Sequence, residues 1–536
     1  MSNAEIAATL DAYAALLDLS GAGHYTVRAY RRAAELVRET RAPVAELVRE
    51  GRARDLRGIG PGIERRLLEL VATGRLAELE ELERDVEPQL VALGRFVGLG
   101  PQRMVALGRA LDVRTADELR EAAAAGRLRD APGVGPATER KIVAGLAREQ
   151  PRRRRALLLS RATALAEAIA RELDATIAGE VRRRCETVHE LSLVSTLDDA
   201  LERLEASPTV VSIVEREPRR AVGVTVEGIA VEVVAAAPAR FGTELLRATG
   251  SPSYVASLEP LPDAADEAAV YTRLGVPWCP PELREAPLLR DPPTLVQIED
   301  VRGDLHCHTT WSDGKASVRE MAIGARDRGY EYVAICDHTP NVRVVPGLDA
   351  DGLRAQAEEI AAANEELAPF RVLRGTECDI RGDGTLDLPD DVLAELDWVQ
   401  LSLHAGQRES ADRLTKKVIE AMRHPAVRCL SHPKGRIINH RPPNALDLER
   451  AIEVALEEGV ALETNGLPDR LDLRDEEVRL AVEAGVAVVC STDAHSVRGL
   501  GNMALAVSTA RRGWATAAAV LNTRGLDEVL GHRRRR

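Results

Sequence analysis

The sequence predicts a multidomain chain: an all-α front, a small α+β middle and a C-terminal domain of alternating strands and helices. Three observations predict it. A Gly-x-Gly-Pro turn recurs three times before residue 140, between stretches with helical apolar spacing. Beyond residue 300, short apolar runs alternate with helix-like segments, the signature of a parallel α/β sheet or barrel. Nine of the 11 histidines lie between His306 and His532, so ligand-bearing chemistry belongs to that last part.

Composition bounds the rest. The chain has 536 residues, room for roughly three to five domains at ~150 residues each. Hydrophobic residues at 45% and charged residues at 29% are those of an ordinary globular protein. No run of apolar residues is long enough for a spanning helix. The acidic start lacks the basic segment of a secretory signal. Seven cysteines without a CxxC pair point to a reducing cytosol and away from a disulfide framework. Aromatics at 3% argue against a stacking platform for single strands. The net charge of −13 is unevenly spread: residues 1–160 carry +4 and the remainder −17. The front is therefore eligible for phosphate contacts, and the acid-rich remainder suits metal chemistry.

In chain order, residues 4–17 and 27–37 have helical apolar spacing on either side of a glycine break. The three turns carry Gly58 and Gly60, Gly98 and Gly100, and Gly133 and Gly135, followed by Pro61, Pro101 and Pro136. Proline at the first helical position behind a glycine turn starts a helix and aims free backbone N–H groups outward, toward a phosphate oxygen. This is the helix-hairpin-helix pattern of sequence-independent DNA binders. A single copy would equally be a turn between packed helices. Three copies, with Arg65, Arg66, Arg103, Arg140 and Lys141 nearby, favour DNA phosphate. The basic run 151–155 marks a boundary. A helix over 156–173 and strands over 187–194, 210–214 and 224–235 then read as a small α+β domain, and residues 236–297 end in a proline-rich linker region.

The final domain has apolar runs at 332–336, 371–375, 398–403, 427–430, 460–462 and 486–490, with helices over 318–328, 353–367, 448–458 and 475–484. Every run but that at 460–462 leads to a ligand type. His306 and His308, then Asp313, follow the first strand. His338, Glu377, His404 and His432 follow the next four, and Asp493 and His495 the last. Residues i and i+2 of a strand share a face, so each close pair aims at one point. Any one of these alone would be a satisfied core histidine or acid. Nine at the C-terminal ends of parallel strands call for two or three divalent ions: Zn²⁺, Mn²⁺ or Fe²⁺, with Mg²⁺ also admitted. His424, His440 and His532 lack that placement. Cys307, Cys336, Cys378 and Cys490 read as small core residues. Clustered ions of this kind activate water against a phosphoester. Lys434, Arg436 and Asn465, in the strand-end loops, are candidates to hold its phosphate.

The phrases DLHCHTTWSDG, AICDHT, GTECDI, SLHAG, SHPKGR and STDAH resemble the motif series of the polymerase-and-histidinol-phosphatase (PHP) domain. With HYTVRAYRRAAELV, the three hairpins and AGEVRRRCETVHELSLV, the whole chain resembles the bacterial family X DNA polymerases that carry this domain. The resemblance implies helix-hairpin-helix modules, a nucleotidyltransferase-like palm and a distorted (β/α)₇ barrel holding three metals. Its ligands would be His306, His308, Asp313, His338, Glu377, His404, His432, Asp493 and His495. The implied activity is a 3′-5′ exonuclease, with abasic-site cleavage in some members. The palm departs from the pattern. Gly179 is followed by Glu180 where Gly-Ser would hold the triphosphate. Glu190 and Ser192 stand for Asp-x-Asp, and Glu232 for the third Asp. Arg182, Arg183 and Thr249-Gly250-Ser251 match, but SPSYVAS departs from the family's TGS-x-x-HN pattern. Serine supplies no charge, and two-metal phosphoryl transfer tolerates little misplacement.

The expectation is a DNA-binding, metal-dependent phosphodiesterase for gapped, nicked or 3′-end substrates in DNA repair, with polymerase activity weakened or lost. The expected domains are a helix-hairpin-helix domain (1–82), fingers (83–150), a degenerate palm (151–236), a thumb-like domain with linker (237–297) and the PHP domain (298–536). The alternatives are an active gap-filling polymerase using Glu190 and Glu232, a phosphatase for a small phosphomonoester, and a DNA-binding scaffold. A lyase role for the first domain is disfavoured, because residues 1–140 contain no lysine.

Overall fold

Pro61 stands at the first position of helix Pro61–Thr73, where its missing N–H costs nothing. Gly74, in the left-handed region at φ +72°, closes the helix on the Leu70 carbonyl. Gly58 just upstream has φ +113°, a conformation that only glycine takes without strain. The first expected hairpin is thus built as its chemistry dictates. The computed structural model describes the chain apart from residues 1–2, 21–23, 41–42, 57, 79–106, 109, 112, 114–115, 132–133, 137, 140–141, 143–155, 289–290, 343–344 and 533–536.

Two units are present, one made of Met1–Ala156 and Leu197–Ala235, the other of Leu157–Thr196 and Ala236–Arg536. In the first, helices Asn3–Ser20, His24–Glu39, Val44–Arg49 and Pro61–Thr73 close around Ile6, Leu10, Tyr13, Val27, Tyr30, Leu67 and Leu70. A second small core gathers Leu107, Leu119, Leu128 and Ile142 around helix Ala116–Ala124. The unit ends in an antiparallel meander, Val210–Glu217, Arg220–Thr225 and Ala230–Ala235. The single strand expected over 224–235 is therefore corrected to a hairpin. Gly228, at φ +74°, donates to the Thr225 carbonyl (2.8 Å), and its chain reversal looks like a mere interruption in the apolar pattern.

The second unit begins with helix Leu159–Leu173 and the antiparallel strands Ala175–Ile177 and Glu190–Ser195. Residues 277–288, expected as linker, instead pack into it. Arg284 is fully buried, its guanidinium lying 5.0 Å from the Trp278 ring and 5.5 Å from that of Tyr271, with Nε donating to the Cys279 carbonyl (2.9 Å). It shares the buried Glu267 carboxylate with Arg182, whose Nη1 lies 2.9 Å from Oε1. Breaking such a buried pair from one side costs about 3–5 kcal/mol, because a charge is left without its partner. That is ample to hold a proline-rich segment in place.

The remaining residues build the barrel. Seven parallel strands lie side by side in chain order: Gly303–Cys307, Tyr332–Ile335, Arg371–Asp379, Trp398–Ser402, Val427–Leu430, Ala461–Asn465 and Val488–Ser491. A bridge between Cys307 and Ala494 joins the first strand to the segment past the seventh. Most strand residues are buried on both faces, which is why they read as continuous apolar runs. Leu305, Tyr332, Leu373, Trp398, Cys429, Ala461 and Val489 share one core cluster. Each Leu or Val so buried contributes ~1.5–3 kcal/mol. Helices Val318–Arg326, Ala350–Leu367, Leu448–Glu458 and Asp475–Glu483 stand close to their expected places, and Ala411–Met422 and Met503–Arg512 complete the layer. The third strand runs four residues past its expected end, so Glu377 lies inside it, bridged to His338. Cys307, Cys336, Cys378 and Cys490 are buried and unbridged, and burial pushes their thiols up. No helix among the described residues is long and apolar enough to cross a membrane.

Candidate metal centre

The strand ends bring six imidazoles and three carboxylates together. Ring centroids step from His306 to His308 (5.1 Å), to His338 (4.5 Å), to His404 (5.2 Å), to His432 (5.5 Å) and back to His306 (6.1 Å). His495 stacks on His308 at 4.3 Å. Glu377, almost fully buried, is the hub. Its Oε2 lies 2.8 Å from His338 Nδ1, and its Oε1 lies 2.9 Å from His432 Nε2 and 3.5 Å from His404 Nε2. Asp493 Oδ1 is 3.1 Å from His308 Nε2, and Asp313 Oδ2 is 3.2 Å from His495 Nε2. Asp493 and His432 hold positive φ angles of 51° and 24°, uncommon for such residues and typical of a functional turn.

Three overlapping groups have all their ligand atoms within 4.8 Å of one another: His308, Asp313, His338 and His495; His306, His308 and Asp493; and His338, Glu377 and His404. The ninth expected ligand, His432, is outside these groups but against Glu377. The residues fit divalent cations on a further ground. The Nδ1 atoms of His308, His338 and His404 are buried without a hydrogen bond, although His338 Nδ1 is near Glu377. A buried nitrogen left unpaired costs ~1–3 kcal/mol. A cation facing these lone pairs removes that cost, and an N/O set without thiolate selects Zn²⁺, Mn²⁺ or Fe²⁺.

The electrostatics point the same way. Burial would raise Glu377, yet the cationic forms of His404, His338 and His306 hold it well below the usual carboxylate range. Burial also opposes ionisation of Asp313, but the hydrogen bond from His495 takes it to about 2. His308 is pushed down to about 4 by burial and by His338, so it is neutral, as a ligand must be. His495, which burial would lower, is raised to about 9 by Asp313 and Asp493. Such a proton is released when a cation takes its place.

Residues around the ligands hold them. Glu463, fully buried, accepts from His306 Nδ1 (2.7 Å), Gln400 Nε2 (3.0 Å), Ser431 Oγ (3.0 Å), the His432 amide (2.6 Å), Asn465 Nδ2 (3.3 Å) and Ser491 Oγ. It fixes the His306 ring so that Nε2 faces Glu377 and Asp493. Asp337 accepts from the Thr309 amide (2.8 Å), Thr309 Oγ1 (2.6 Å) and Gln356 Nε2 (2.6 Å), and so anchors the loop that carries Asp313. Sequence reasoning missed Glu463. Its only local signal is a charge inside the apolar run before Asn465, on the same strand face.

The catalytic cations require correction. Lys434 Nζ donates to the Leu446 carbonyl (2.7 Å), and Arg436 is spent on Glu186 (3.2 Å) and the Leu471 carbonyl. Both are nearly buried loop ties, not free hands for a phosphate. Asn465 Nδ2 donates to Asp493 Oδ2 (2.9 Å), steadying a ligand.

Comparison with known proteins now bears on this geometry. A PHP domain matches residues 304–465, a helix-hairpin-helix domain residues 1–76, and a SAM-like helix-hairpin-helix tandem residues 93–148. The chain is 33% identical to the DNA polymerase/3′-5′ exonuclease PolX of Bacillus subtilis, over 99% of both chains. The chain belongs to the PolX family. Its PHP part is also similar to a protein of Acetivibrio thermocellus named "Probable phosphatase": 31% identity, 36% of this chain and 78% of that one. A further "Probable phosphatase", from Thermoanaerobacter sp. X514, is 29% identical over 41% of this chain and 89% of its own length.

Within this PolX member the expected polymerase residues are occupied. Gly179 sits at φ +60°, and a Cβ there would lie 2.7 Å from Ser192 Oγ. Glu180 folds back to accept from the amides of His189 and Glu190 (3.3 Å for Glu190). Arg182 is bound to Glu267 and to Thr249 Oγ1 (2.8 Å). Arg183 is bound to Glu285 (2.9 Å) and to the Thr249 carbonyl (2.7 Å). Burial would raise Glu285, yet Arg183 and Arg512 hold it at about 2, so that pair is charged at neutral pH. Glu232 is paired with Arg220. Of the expected DNA-contacting residues, Gly58, Gly60 and Gly135 lie at described turns, and Pro136 begins a helical turn. Arg65 is exposed there, whereas Arg66 is turned inward onto Tyr13 (Nε to Oη, 3.0 Å). Gly98, Gly100, Arg103, Gly133, Arg140 and Lys141 lie outside the described residues.

Proposed function

We propose that the chain is a DNA-binding, metal-dependent phosphodiesterase of the bacterial cytosol that removes nucleotides in the 3′-5′ direction. Its substrates are ends exposed at gaps, nicks or damaged termini, and its nucleotidyl transfer is weakened or lost. One contrast carries the reading. Nine metal-type donors converge at the barrel mouth, while the arginines that would meet a triphosphate in the palm are already neutralised by Glu267 and Glu285. The three overlapping donor groups support three ions, Mn²⁺ or Zn²⁺. When bound, such ions lower the pKa of water and balance charge on the attacked and leaving oxygens.

The chain's own residues supply the frame. Asp313 and His495, partly exposed, form the open side of the centre, and His306, His308 and Glu377 its buried floor. Glu463 and Asp337 hold the floor and the rim in place. The Gly-Pro hairpins supply backbone amides for DNA phosphates without reading bases. A phosphomonoesterase reading, which the two phosphatases bring to mind, would give these hairpins no task.

Polarity tests the proposal. A gapped duplex whose primer strand is labelled at its 5′ end, incubated with Mn²⁺, is expected to yield a descending ladder of labelled products. The same strand labelled on its 3′-terminal nucleotide is expected to release labelled mononucleotide at once. A ladder from the 3′-labelled strand, or no cleavage of either, would contradict the reading.

A further inference from the structure

One carboxylate of the palm reaches the strand-end loops of the barrel. Glu186 lies between Arg183 and Glu190, and its carbonyl is pinned by the Leu159 amide (3.1 Å). Its side chain takes both terminal nitrogens of Arg436, with Oε1 3.2 Å from Nη1 and Oε2 2.5 Å from Nη2. The Arg436 side chain is only 8% exposed, and among the described residues Glu186 is its one ion-pair partner. Both residues belong to the same unit.

What Arg436 holds gives that pair its weight. Nη2 also donates to the Leu471 carbonyl (2.5 Å), in the loop after the sixth barrel strand. Leu471 has φ +42°, a strained angle for leucine. The amides of Arg436 and Lys434 donate to the neighbouring side chain, buried Asp472 (3.2 and 3.1 Å). One guanidinium and one carboxylate thus staple the loop after the fifth strand to the loop after the sixth. Each loop leads to a metal-type donor. The Gly435 amide, next to Arg436, donates to the His432 carbonyl (2.9 Å). The Asp472 carbonyl accepts from the Asn465 amide (2.7 Å), and Asn465 Nδ2 in turn holds Asp493 Oδ2 (2.9 Å). His432 and Asp493 are also the two donors with positive φ, a conformation that persists only where the surroundings impose it.

We propose that Glu186 is a positioning residue for the metal centre: through Arg436 it keeps both loops, and with them His432 and Asp493, in the geometry that takes the metal. A guanidinium so enclosed, once deprived of its carboxylate, turns toward water, because a charge left buried without its partner is costly. It then drops the Leu471 carbonyl, the strained turn relaxes, and the staple is left to Asp472 alone. The palm thereby serves the barrel in a way that needs no nucleotidyl transfer. The inference rests on the metal-dependent reading above and adds a palm residue to its support.

The test measures Mn²⁺ affinity of the full-length protein by competition with a chromophoric chelator, alongside the melting temperature of the metal-free protein. Glu186 is partly exposed, so alanine there leaves no buried void. Glu186→Ala is expected to weaken Mn²⁺ binding at least about threefold, less than the ~10–100-fold of a partner bonded directly to a metal-binding side chain. Arg436→Ala should weaken it at least as much. Adding Glu186→Ala to Arg436→Ala should cost less than about twofold more, since the carboxylate acts only through that guanidinium. Glu282→Ala is the control. Glu282 pairs with Arg511 Nε (2.7 Å), whose Nη1 donates to the Val296 carbonyl (2.8 Å), in neither loop. It should lower the melting temperature and leave Mn²⁺ affinity within about twofold. A loss below about threefold in Glu186→Ala would overturn the positioning role, as would an equal loss in Glu282→Ala or losses that multiply in the double variant. Wild-type protein that binds no Mn²⁺ overturns the metal-dependent reading itself.

Discussion

Replacing His306 and His308 together by alanine is expected to abolish DNA cleavage while leaving DNA affinity within about twofold of wild type. The two rings belong to one donor group with Asp493, and His308 also belongs to the group of Asp313, His338 and His495. Their loss leaves Asp493 alone in the first group and thins the second. Metal ions supply several kcal/mol of charge stabilisation in the transition state, so at about 1.4 kcal/mol per tenfold the loss is about 10³-fold or more. DNA affinity should persist because the expected phosphate contacts of Gly58, Gly60 and Gly135 lie on hairpins of the other unit. A sequencing gel reads cleavage, and fluorescence anisotropy on the same duplex reads binding. Cleavage that survives the double change would refute the site assignment.

Glu463→Gln is the second large effect. Six donors point at this carboxylate, and the amide that glutamine would introduce replaces one of its two acceptor oxygens with a donor, so several of these bonds are lost or must be reversed. The change removes the negative charge that keeps the His306 ring oriented and puts an N–H₂ group among donors. Losing a carboxylate behind a metal-binding histidine typically weakens metal affinity ~10–100-fold. Competition with a chromophoric chelator should show that shift for Mn²⁺, with cleavage restored at correspondingly higher metal concentration. Unchanged metal affinity would mean that Glu463 only packs the barrel floor.

The barrel was legible because its strands are buried on both faces, which leaves runs such as YVAI and VVCS without polar interruption. The ligands were legible because each follows its own run. What stayed hidden depends on partners far away in the chain. His306 meets Glu463 across 157 residues, and Arg436 meets Glu186 across 250. Lys434 and Arg436 look like phosphate hands from their loop position, and only the fold shows the carbonyls and the carboxylate that hold them. The hairpin at Gly228 was missed because a short turn interrupts the apolar alternation too briefly to be seen.

Once Glu180 caps the amides of His189 and Glu190, and Glu267 and Glu285 neutralise Arg182 and Arg183, an incoming triphosphate would have to displace existing ion pairs. Glu190 and Glu232 are still carboxylates and could in chemistry hold Mg²⁺ or Mn²⁺. One experiment therefore weighs both centres at once. A gapped duplex with an end-labelled primer is incubated with Mn²⁺ and all four deoxynucleoside triphosphates, and the primer is sized on a sequencing gel. The primer is expected to shorten. Primer that lengthens, and stops lengthening when Glu190 is changed to alanine, would contradict the account and restore the palm as a working polymerase.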